Sequence, residues 1–149
     1  MMKLKLADGA SALIIVAHPD DETIWMGGTI LINQQVDWTI FSLCRASDSD
    51  RAPKFQRVCD RYGAEAIMAD LDDDDRLSGG EAKEEAKKIL FRKLKNRKFD
   101  YIFTHGAKGE YGHLRHLAAS QAVTELIKEK KLLSQAVFYF NYKKAGPGK

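Results

Sequence analysis

The sequence contains only two cysteines and three prolines, and it has no long apolar run. Cys44 and Cys59 lack the C-x-x-C spacing of a metal or redox pair, so we expect free thiols in a reducing compartment. No stretch approaches the about 20 apolar residues that span a membrane as a helix. The first apolar run, residues 12–16, is too short for a secretion signal and lacks a small-residue cleavage site. We therefore expect a cytoplasmic protein without a membrane span.

An excess of one charge is also missing from the chain. The 24 Lys and Arg residues are interleaved with 21 Asp and Glu residues, which leaves a net charge of +3. A nucleic-acid-binding surface usually carries a basic stripe, so we expect no nucleic-acid partner. The chain has 149 residues, of which 44% are hydrophobic, and this is enough for one core. We expect residues 1–149 to form a single domain with a frayed tail at residues 143–149.

Short apolar runs alternate with amphipathic segments along the whole chain. We predict strands at about residues 12–17, 37–44, 65–69, 99–104 and 135–142. We predict helices at about residues 22–35, 53–63, 80–97 and 113–131. Regular alternation of this kind is typical of an α/β fold. We expect a Rossmann-like three-layer sandwich with a mainly parallel sheet of about five strands.

Two polar segments carry residues that are suited to chemistry. The first, Ala17-His18-Pro19-Asp20-Asp21-Glu22, follows the first predicted strand and supplies an imidazole and three carboxylates. The second, residues 109–116 (GEYGHLRH), follows the fourth predicted strand and carries two of the other three histidines. In doubly wound sheets the strand order commonly reverses beside the first strand, which places these two loops on either side of one crevice. We therefore expect the two segments to meet.

Together the two segments contain the donors that a hydrolytic metal site requires. Neutral imidazoles and a carboxylate can hold the ion, and a spare carboxylate can act as base. Each residue also has a plainer interpretation. Asp20 or Asp21 could simply cap the following helix, and His113 and His116 could lie on the surface.

The two segments resemble those of the LmbE-like (PIG-L) family of zinc-dependent N-acetylglucosaminyl de-N-acetylases. The resemblance spans nearly the whole chain and implies a Rossmann-like fold. It also implies hydrolysis of the acetamide on an N-acetylated amino sugar or its conjugate, a small-molecule substrate of the N-acetylglucosamine type. His18, Asp21 and His116 match the zinc ligands of this family. One Zn²⁺ ion per chain is expected, although two imidazoles and a carboxylate accept other divalent first-row metals as well.

The resemblance further implies roles for residues around the metal. Asp20 matches the general base, and His113 matches the histidine that stabilises the oxyanion and protonates the leaving amine. Arg51 matches an arginine that contacts the sugar or its phosphate-bearing substituent, with a solvated loop arginine as the alternative. Tyr111 is a candidate for contact with the reacting carbonyl. We expect Glu22, a further substrate-side candidate, to cap the helix or to accept a hydrogen bond from a ligand histidine.

Other polar residues receive plainer expectations. We expect a structural role for His105. For the acidic residues Asp70 and Asp72–Asp75 we expect a loop that faces water, with hydroxyl binding in the pocket as the alternative.

The chain departs from the family pattern in two ways. Leu114-Arg115 stands where the family commonly has Pro-Asp, and a cation there is expected to depress the pKa of His113. The chain also stops after a fifth strand, so the pocket could be shallow, completed by a second subunit of a homo-oligomer, or part of a truncated chain. These departures keep one alternative open, a catalytically weak or inactive metal-containing domain that binds a sugar or nucleotide. Hydrolysis of a phosphoester ranks last, because the extra carboxylates of a two-metal site are missing.

Overall fold

The computed structural model describes residues 3–142 as a parallel β-sheet with helices on both faces. The strands are β1 (Ser11–Val16), β2 (Asp37–Ser42), β3 (Glu65–Met68), β4 (Lys98–Thr104) and β5 (Leu133–Tyr139). The helices are α1 (Asp21–Ile32), α2 (Arg51–Tyr62), α3 (Gly79–Leu94), the short α4 (Gly109–Gly112) and α5 (Leu114–Lys128). The predicted fold class is confirmed. The predicted tail at residues 143–149 lies outside the described residues.

The strand order places the two chemical segments side by side. The sheet runs β3-β2-β1-β4-β5, and every neighbouring pair is parallel. The order therefore reverses beside β1, as we predicted from the doubly wound pattern. Because parallel strands end at the same edge, the loops after β1 and β4 are neighbours at the carboxyl edge of the sheet.

Strand β1 is buried on both faces, which explains its continuous apolar sequence. Leu13 and Ile15 pack into a core with residues of α3 and α5. Ile14 and Val16 face the other way, into a core with residues of α1 and α2. Successive side chains of a strand point to opposite faces, so one short run serves two hydrophobic layers.

Several predicted boundaries need correction by a few residues. We predicted a first helix to residue 35, but α1 ends at Ile32 because the Asn33 side chain binds the chain before β1. Its amide accepts from the backbone N–H of Leu6 at 2.8 Å and donates to the carbonyl of Leu4 at 2.8 Å. The predicted end of the second helix is confirmed, since Gly63 has a φ of 68° and caps α2.

Both cysteines are buried and free. Burial raises the pKa of each thiol to about 12, so neither is a reactive nucleophile at neutral pH. Across residues 3–142, no helix combines the length and the apolar character that crossing a bilayer would need.

Candidate metal centre

The carboxyl edge of the sheet brings the three predicted metal ligands together. His18 lies in the turn between β1 and α1, Asp21 is the first residue of α1, and His116 lies in the first turn of α5. The Oδ2 atom of Asp21 is 3.4 Å from Nδ1 of His18 and 3.3 Å from Nε2 of His116. The two imidazole rings have centroids 5.5 Å apart. Residues from opposite ends of the polypeptide thus face one point.

Hydrogen bonds on the outer side of each ring determine which nitrogen faces this point. Nδ1 of His116 is 3.1 Å from the Glu110 carboxylate, and Nε2 of His18 is 2.9 Å from the Asp73 carboxylate. A neutral imidazole donates to a carboxylate with its single N–H. The inner nitrogens then present lone pairs to Asp21, which is itself an acceptor. A cation between them satisfies these three acceptors, either a metal ion or a proton on one of the rings that then bonds to Asp21.

The spacing of these atoms suits a tetrahedral ion. Zinc binds nitrogen and oxygen at about 2.0–2.2 Å, so two of its tetrahedral ligands are separated by about 3.3–3.6 Å. The Asp21 carboxylate lies at 3.4 and 3.3 Å from the two imidazoles. Although burial alone would raise the pKa of Asp21, hydrogen bonds with His116 and His18 hold it well below its usual range. The carboxylate is therefore ionised, as a metal ligand must be.

Glu110 is the supporting residue that sequence reasoning missed. Its Oε1 atom lies 2.6 Å from Nδ1 of His105 and 3.1 Å from Nδ1 of His116, and its Oε2 accepts from the Gly106 N–H at 2.6 Å. Burial opposes ionisation, but the bonds from His105 and Gly106 lower the pKa of Glu110. A carboxylate that accepts from a ligand histidine fixes the ring orientation and raises its basicity.

The structural role expected for His105 agrees with the geometry. The ring is fully buried, and its Nε2 accepts from the backbone N–H of Ala17 at 3.0 Å. The proton of the neutral ring therefore sits on Nδ1 and is donated to Glu110. Burial lowers the pKa of His105, which keeps the ring neutral. His105 thus joins the end of β1 to the carboxylate that orients a proposed ligand.

The backbone is strained at two positions of the candidate site. Asp20 has φ 95° and ψ −25°, and Glu110 has φ 62° and ψ −71°. Such conformations in residues other than glycine cost on the order of 1–3 kcal/mol and cluster at functional sites. Close packing adds a constraint nearby, because a Cβ at Gly106 would lie 2.5 Å from the carbonyl oxygen of Phe140. A carboxylate set among the glycines of residues 106–112 was the sequence signal that could have identified Glu110.

The expectation that the second acidic segment faces water is wrong for Asp73. Its Oδ1 lies 2.9 Å from Nε2 of His18, and its Oδ2 accepts from Nη2 of Arg45 at 2.8 Å. The side chain is 15% exposed, whereas that of Asp74 is 65% exposed. Although burial would raise it, the bonds from His18 and Arg45 lower the pKa of Asp73. One member of the run is therefore part of the site.

Asp20 lies at the opening of the site and is not a capping residue in the usual sense. It occupies the N-cap position of α1, yet its carboxylate caps no backbone amide within residues 3–142. The side chain is 66% exposed and lies 3.5 Å from Nη2 of Arg51, which also donates to the Pro19 carbonyl at 2.8 Å. Burial and the neighbouring Asp21 raise the pKa of Asp20, and the cation of Arg51 opposes this shift.

We expected Glu22 to cap the helix or to accept a hydrogen bond from a ligand histidine, and its observed contact is of the first kind, with the N-cap residue of α1. The Glu22 carboxylate accepts from the backbone N–H of Asp20 at 2.9 Å, and in the described part of the chain no histidine bonds to it. Burial raises its pKa to about 7. Glu22 is thus placed to hold the strained turn at Asp20, because its short side chain bonds back to the main chain of that turn.

His113 stands beside the proposed ligands, with its ring centroid 4.8 Å from that of His18 and 4.7 Å from that of His116. Its Nδ1 accepts from the backbone N–H of Arg115 at 3.1 Å, so the neutral ring carries its proton on Nε2. The pKa of His113 is lowered as expected, but by burial, His18 and His116. The predicted cause, the Arg115 cation, is not among the largest causes of this shift. Tyr111 is 63% exposed, and its ring centroid lies 5.5 Å from that of His116.

The sequence profile of the GlcNAc-PI de-N-acetylase family, PIG-L, matches residues 13–127. The chain belongs to this family. The matched range of this PIG-L chain includes both chemical segments, residues 17–22 and 109–116, so the predicted family resemblance is confirmed. No curated protein matches the chain significantly.

Solved structures share the fold of this PIG-L chain at low sequence identity. The hydratase GalB from Pseudomonas putida, which acts on 4-carboxy-2-hydroxymuconate, is 17% identical with a TM-score of 0.57. The match covers 78% of this chain and 55% of GalB. The A40926 pseudoaglycone deacetylase Dbv21 is 16% identical with a TM-score of 0.61, and the match covers 85% of this chain and 62% of Dbv21. The PIG-L chain thus spans less than two thirds of either structure.

Proposed function

We propose that this chain hydrolyses the acetamide of an N-acetylated amino sugar, or of its conjugate, with one zinc ion. Membership of the PIG-L family supports a hydrolase of the de-N-acetylase type. The observation that carries the proposal is the convergence of lone pairs from His18, Asp21 and His116 beside the exposed carboxylate of Asp20. A deacetylase among the structural neighbours is compatible with this activity.

The proposed ligands fit zinc by their chemistry as well as by their spacing. Catalytic zinc typically has three protein ligands and keeps one position open. In the proposal His18, Asp21 and His116 hold the ion, with their outer atoms bonded to Asp73 and Glu110. A bound zinc supplies a Lewis acid and lowers the pKa of water to about 7. Because these donors also accept other first-row metals, metal identity is part of the test.

Asp20 is the proposed general base. Its carboxylate is exposed at the site and carries a pKa that burial and Asp21 raise above the ordinary value. A raised pKa favours the removal of a proton near neutral pH, because the protonated base is then less unfavourable.

His113 is the proposed donor to the developing oxyanion. Its Nδ1 is occupied by the Arg115 backbone amide, so Nε2–H is the group left free to donate. The lowered pKa keeps this ring neutral at the start of the reaction. A neutral N–H donor stabilises the negative charge of the oxyanion and keeps its proton. In the proposal the leaving amine is therefore protonated by Asp20, which has taken a proton from the attacking water.

A cavity of about 510 Å³ beside Asp20 is the proposed substrate site. It lies between α1 and α2 and has a cationic side at Arg51 and an apolar side at Phe55 and Val58. The planar donors of Arg51 suit a sugar hydroxyl or a phosphate group on the conjugate. Tyr111, whose ring centroid is 5.5 Å from that of His116, is proposed to contact the acyl group.

The test combines metal analysis with amine release from N-acetylated glucosamine derivatives. Asp20→Asn is expected to keep one zinc per chain and to lose at least about 100-fold in turnover, since general-base catalysis typically contributes 10²–10⁴-fold. Asp60→Asn is the matched control, because this carboxylate lies on α2 and bonds to Gln56 instead of facing the site. The control is expected to retain full turnover.

Two results would contradict the proposal. Full turnover by Asp20→Asn would remove Asp20 as the base. Stoichiometric metal without amine release by the wild-type chain would favour the alternative of a metal-containing domain that binds a sugar or nucleotide.

A further inference from the structure

Arg115 is a buried cation whose polar side-chain contacts, among residues 3–142, are with Asp72 in the loop after β3. The side chain is 2% exposed. Its Nε donates to the main-chain carbonyl of Asp72, and its Nη2 lies 3.7 Å from the Asp72 carboxylate. Both terminal nitrogens are buried, and neither has a hydrogen-bond partner among residues 3–142. Burying a guanidinium costs free energy, so we expect a buried arginine that contacts Asp72 to have a structural or functional role.

The residue after Asp72 bonds to a proposed metal ligand. Asp73 lies 2.9 Å from Nε2 of His18, while Nδ1 of the same ring faces Asp21 at 3.4 Å. The orientation of the His18 ring therefore depends on where the main chain presents Asp73. The second oxygen of Asp73 accepts a hydrogen bond from Arg45 at 2.8 Å, so one carboxylate oxygen bonds to His18 and the other to Arg45. Arg115 in turn holds the main chain one residue earlier.

Two other roles for Arg115 are disfavoured by the geometry. Direct binding of a substrate anion would need accessible terminal nitrogens, but both are buried. Electrostatic control of His113 is not required either. Burial and the neighbouring imidazoles of His18 and His116 account for the lowered pKa of that ring. The remaining role for Arg115 is structural, through the contact of its side chain with Asp72 in the loop after β3.

We infer that Arg115 is a positioning residue for His18. It holds the main chain at Asp72, so that Asp73 accepts from Nε2 of His18 and turns Nδ1 toward Asp21. The inference rests on the proposed function where it concerns metal binding. The part that concerns the orientation of the His18 ring belongs to the metal-free chain and can be tested separately.

The test uses Arg115→Met and Arg115→Lys, with Arg76→Met as the matched control. Arg76 is 77% exposed and lies 3.7 Å from the same Asp72 carboxylate. Arg76→Met therefore removes a cation near Asp72 and leaves the buried contact between Arg115 and Asp72 in place. Zinc affinity is measured by competition with a chromophoric chelator. Loss of a partner that orients a ligand typically costs 10–100-fold in affinity, and we expect about 10-fold for Arg115→Met and no change for Arg76→Met.

Arg115→Lys is included in case Arg115→Met does not fold. It keeps a positive charge near Asp72 but lacks the Nε donor. It is expected to lose several-fold in zinc affinity while its unfolding temperature stays close to that of the wild type. Unchanged affinity in either folded Arg115 variant overturns the inference.

A double-mutant cycle separates positioning from general destabilisation. If Arg115 acts through Asp73, Arg115→Met combined with Asp73→Asn binds zinc no more weakly than Asp73→Asn alone. Fully additive losses would overturn the inference.

Nitrogen NMR of the metal-free chain gives a readout that does not depend on zinc. At a pH high enough for His18 to be neutral, its proton is expected on Nε2 in the wild type, and Arg115→Met is expected to give a mixture of the two tautomers. An unchanged His18 signal in Arg115→Met overturns the inference. A wild-type chain that shows this signal but binds no zinc refutes the proposed function and leaves the positioning role supported.

Discussion

Two acidic loops lie at the carboxyl edge of the sheet, and they differ in what their carboxylates face. The first acidic loop (residues 18–22) follows β1, and the second acidic loop (residues 70–75) follows β3. In the first, Asp21 lies within 3.7 Å of three imidazoles. In the second, Asp74 is 65% exposed beside an exposed arginine, and Asp73 is the carboxylate that reaches His18.

The difference shows that acid content alone does not identify a site. The second loop has more carboxylates than the first, yet most of its charge is solvated. What distinguishes Asp21 is the set of fixed nitrogen atoms around it, each held in place by a further hydrogen bond. The second loop contributes where it supplies such a bond, at Asp73. The two loops are therefore expected to respond very differently to the same substitution.

The largest effect is expected from Asp21→Asn. The neutral amide removes the charge that two imidazoles face and places N–H donors where a cation would bind. We expect zinc affinity to fall more than about 100-fold, beyond the 10–100-fold that supporting partners contribute. Chelator competition at fixed pH measures the loss. Asp74→Asn makes the same change in the second loop and is expected to leave the affinity unchanged. Equal losses of zinc affinity in Asp21→Asn and Asp74→Asn would contradict the proposed difference between the two loops.

An intermediate effect is expected from pH, because His18 touches both loops. Burial alone would lower the pKa of His18, but hydrogen bonds to Asp21 and Asp73 raise it above its ordinary value. Protons compete with metal for an imidazole, so zinc affinity should decrease as pH falls through this raised pKa. Asp73→Asn removes one of the charges that raise it. The acid limb of zinc affinity should then move to lower pH, and a limb that stays in place would show that the second loop does not act on His18.

The smallest effect is expected from backbone strain. Asp20→Gly places glycine at a φ of 95°, and we expect a gain of about 1 kcal/mol in the free energy of unfolding of the metal-free chain, or about 3 °C in Tm. Asp75→Gly in the second loop should gain less, because its φ of 59° is a left-handed conformation that aspartate tolerates. Thermal unfolding compares the two. A larger gain at Asp75 would contradict the view that the first loop is the more strained.

Much of the architecture could be predicted from local patterns. The apolar run before His18 indicated a buried parallel strand, and the reversal of strand order beside β1 predicted that the loops after β1 and β4 would meet. The convergence of His18, Asp21 and His116 depends on those two features and on a turn of three residues. Each is set by periodicity and chain connectivity, which the sequence displays directly.

The supporting contacts could not be predicted in the same way. Glu110 and Asp73 act through ring nitrogens whose orientation depends on tertiary packing. Glu110 lies in the four-residue α4 and Asp73 in the loop after β3, segments that are too short or irregular for periodicity to carry information. Arg115 was expected to act on His113 because the two are close in sequence. Its side chain instead reaches Asp72, a contact that depends on how α5 packs against the loop after β3.

The hydrogen bond from the Ala17 amide to the His105 ring has a consequence for how the chain opens. At the end of β1 a side chain from the neighbouring strand takes the place of a carbonyl in the sheet ladder. Breaking that bond would therefore free the His105 imidazole, which shares the Glu110 carboxylate with His116. Opening of the fold between β1 and β4 is therefore expected to disturb the candidate metal centre as well, and the site is expected to persist while these two strands stay paired.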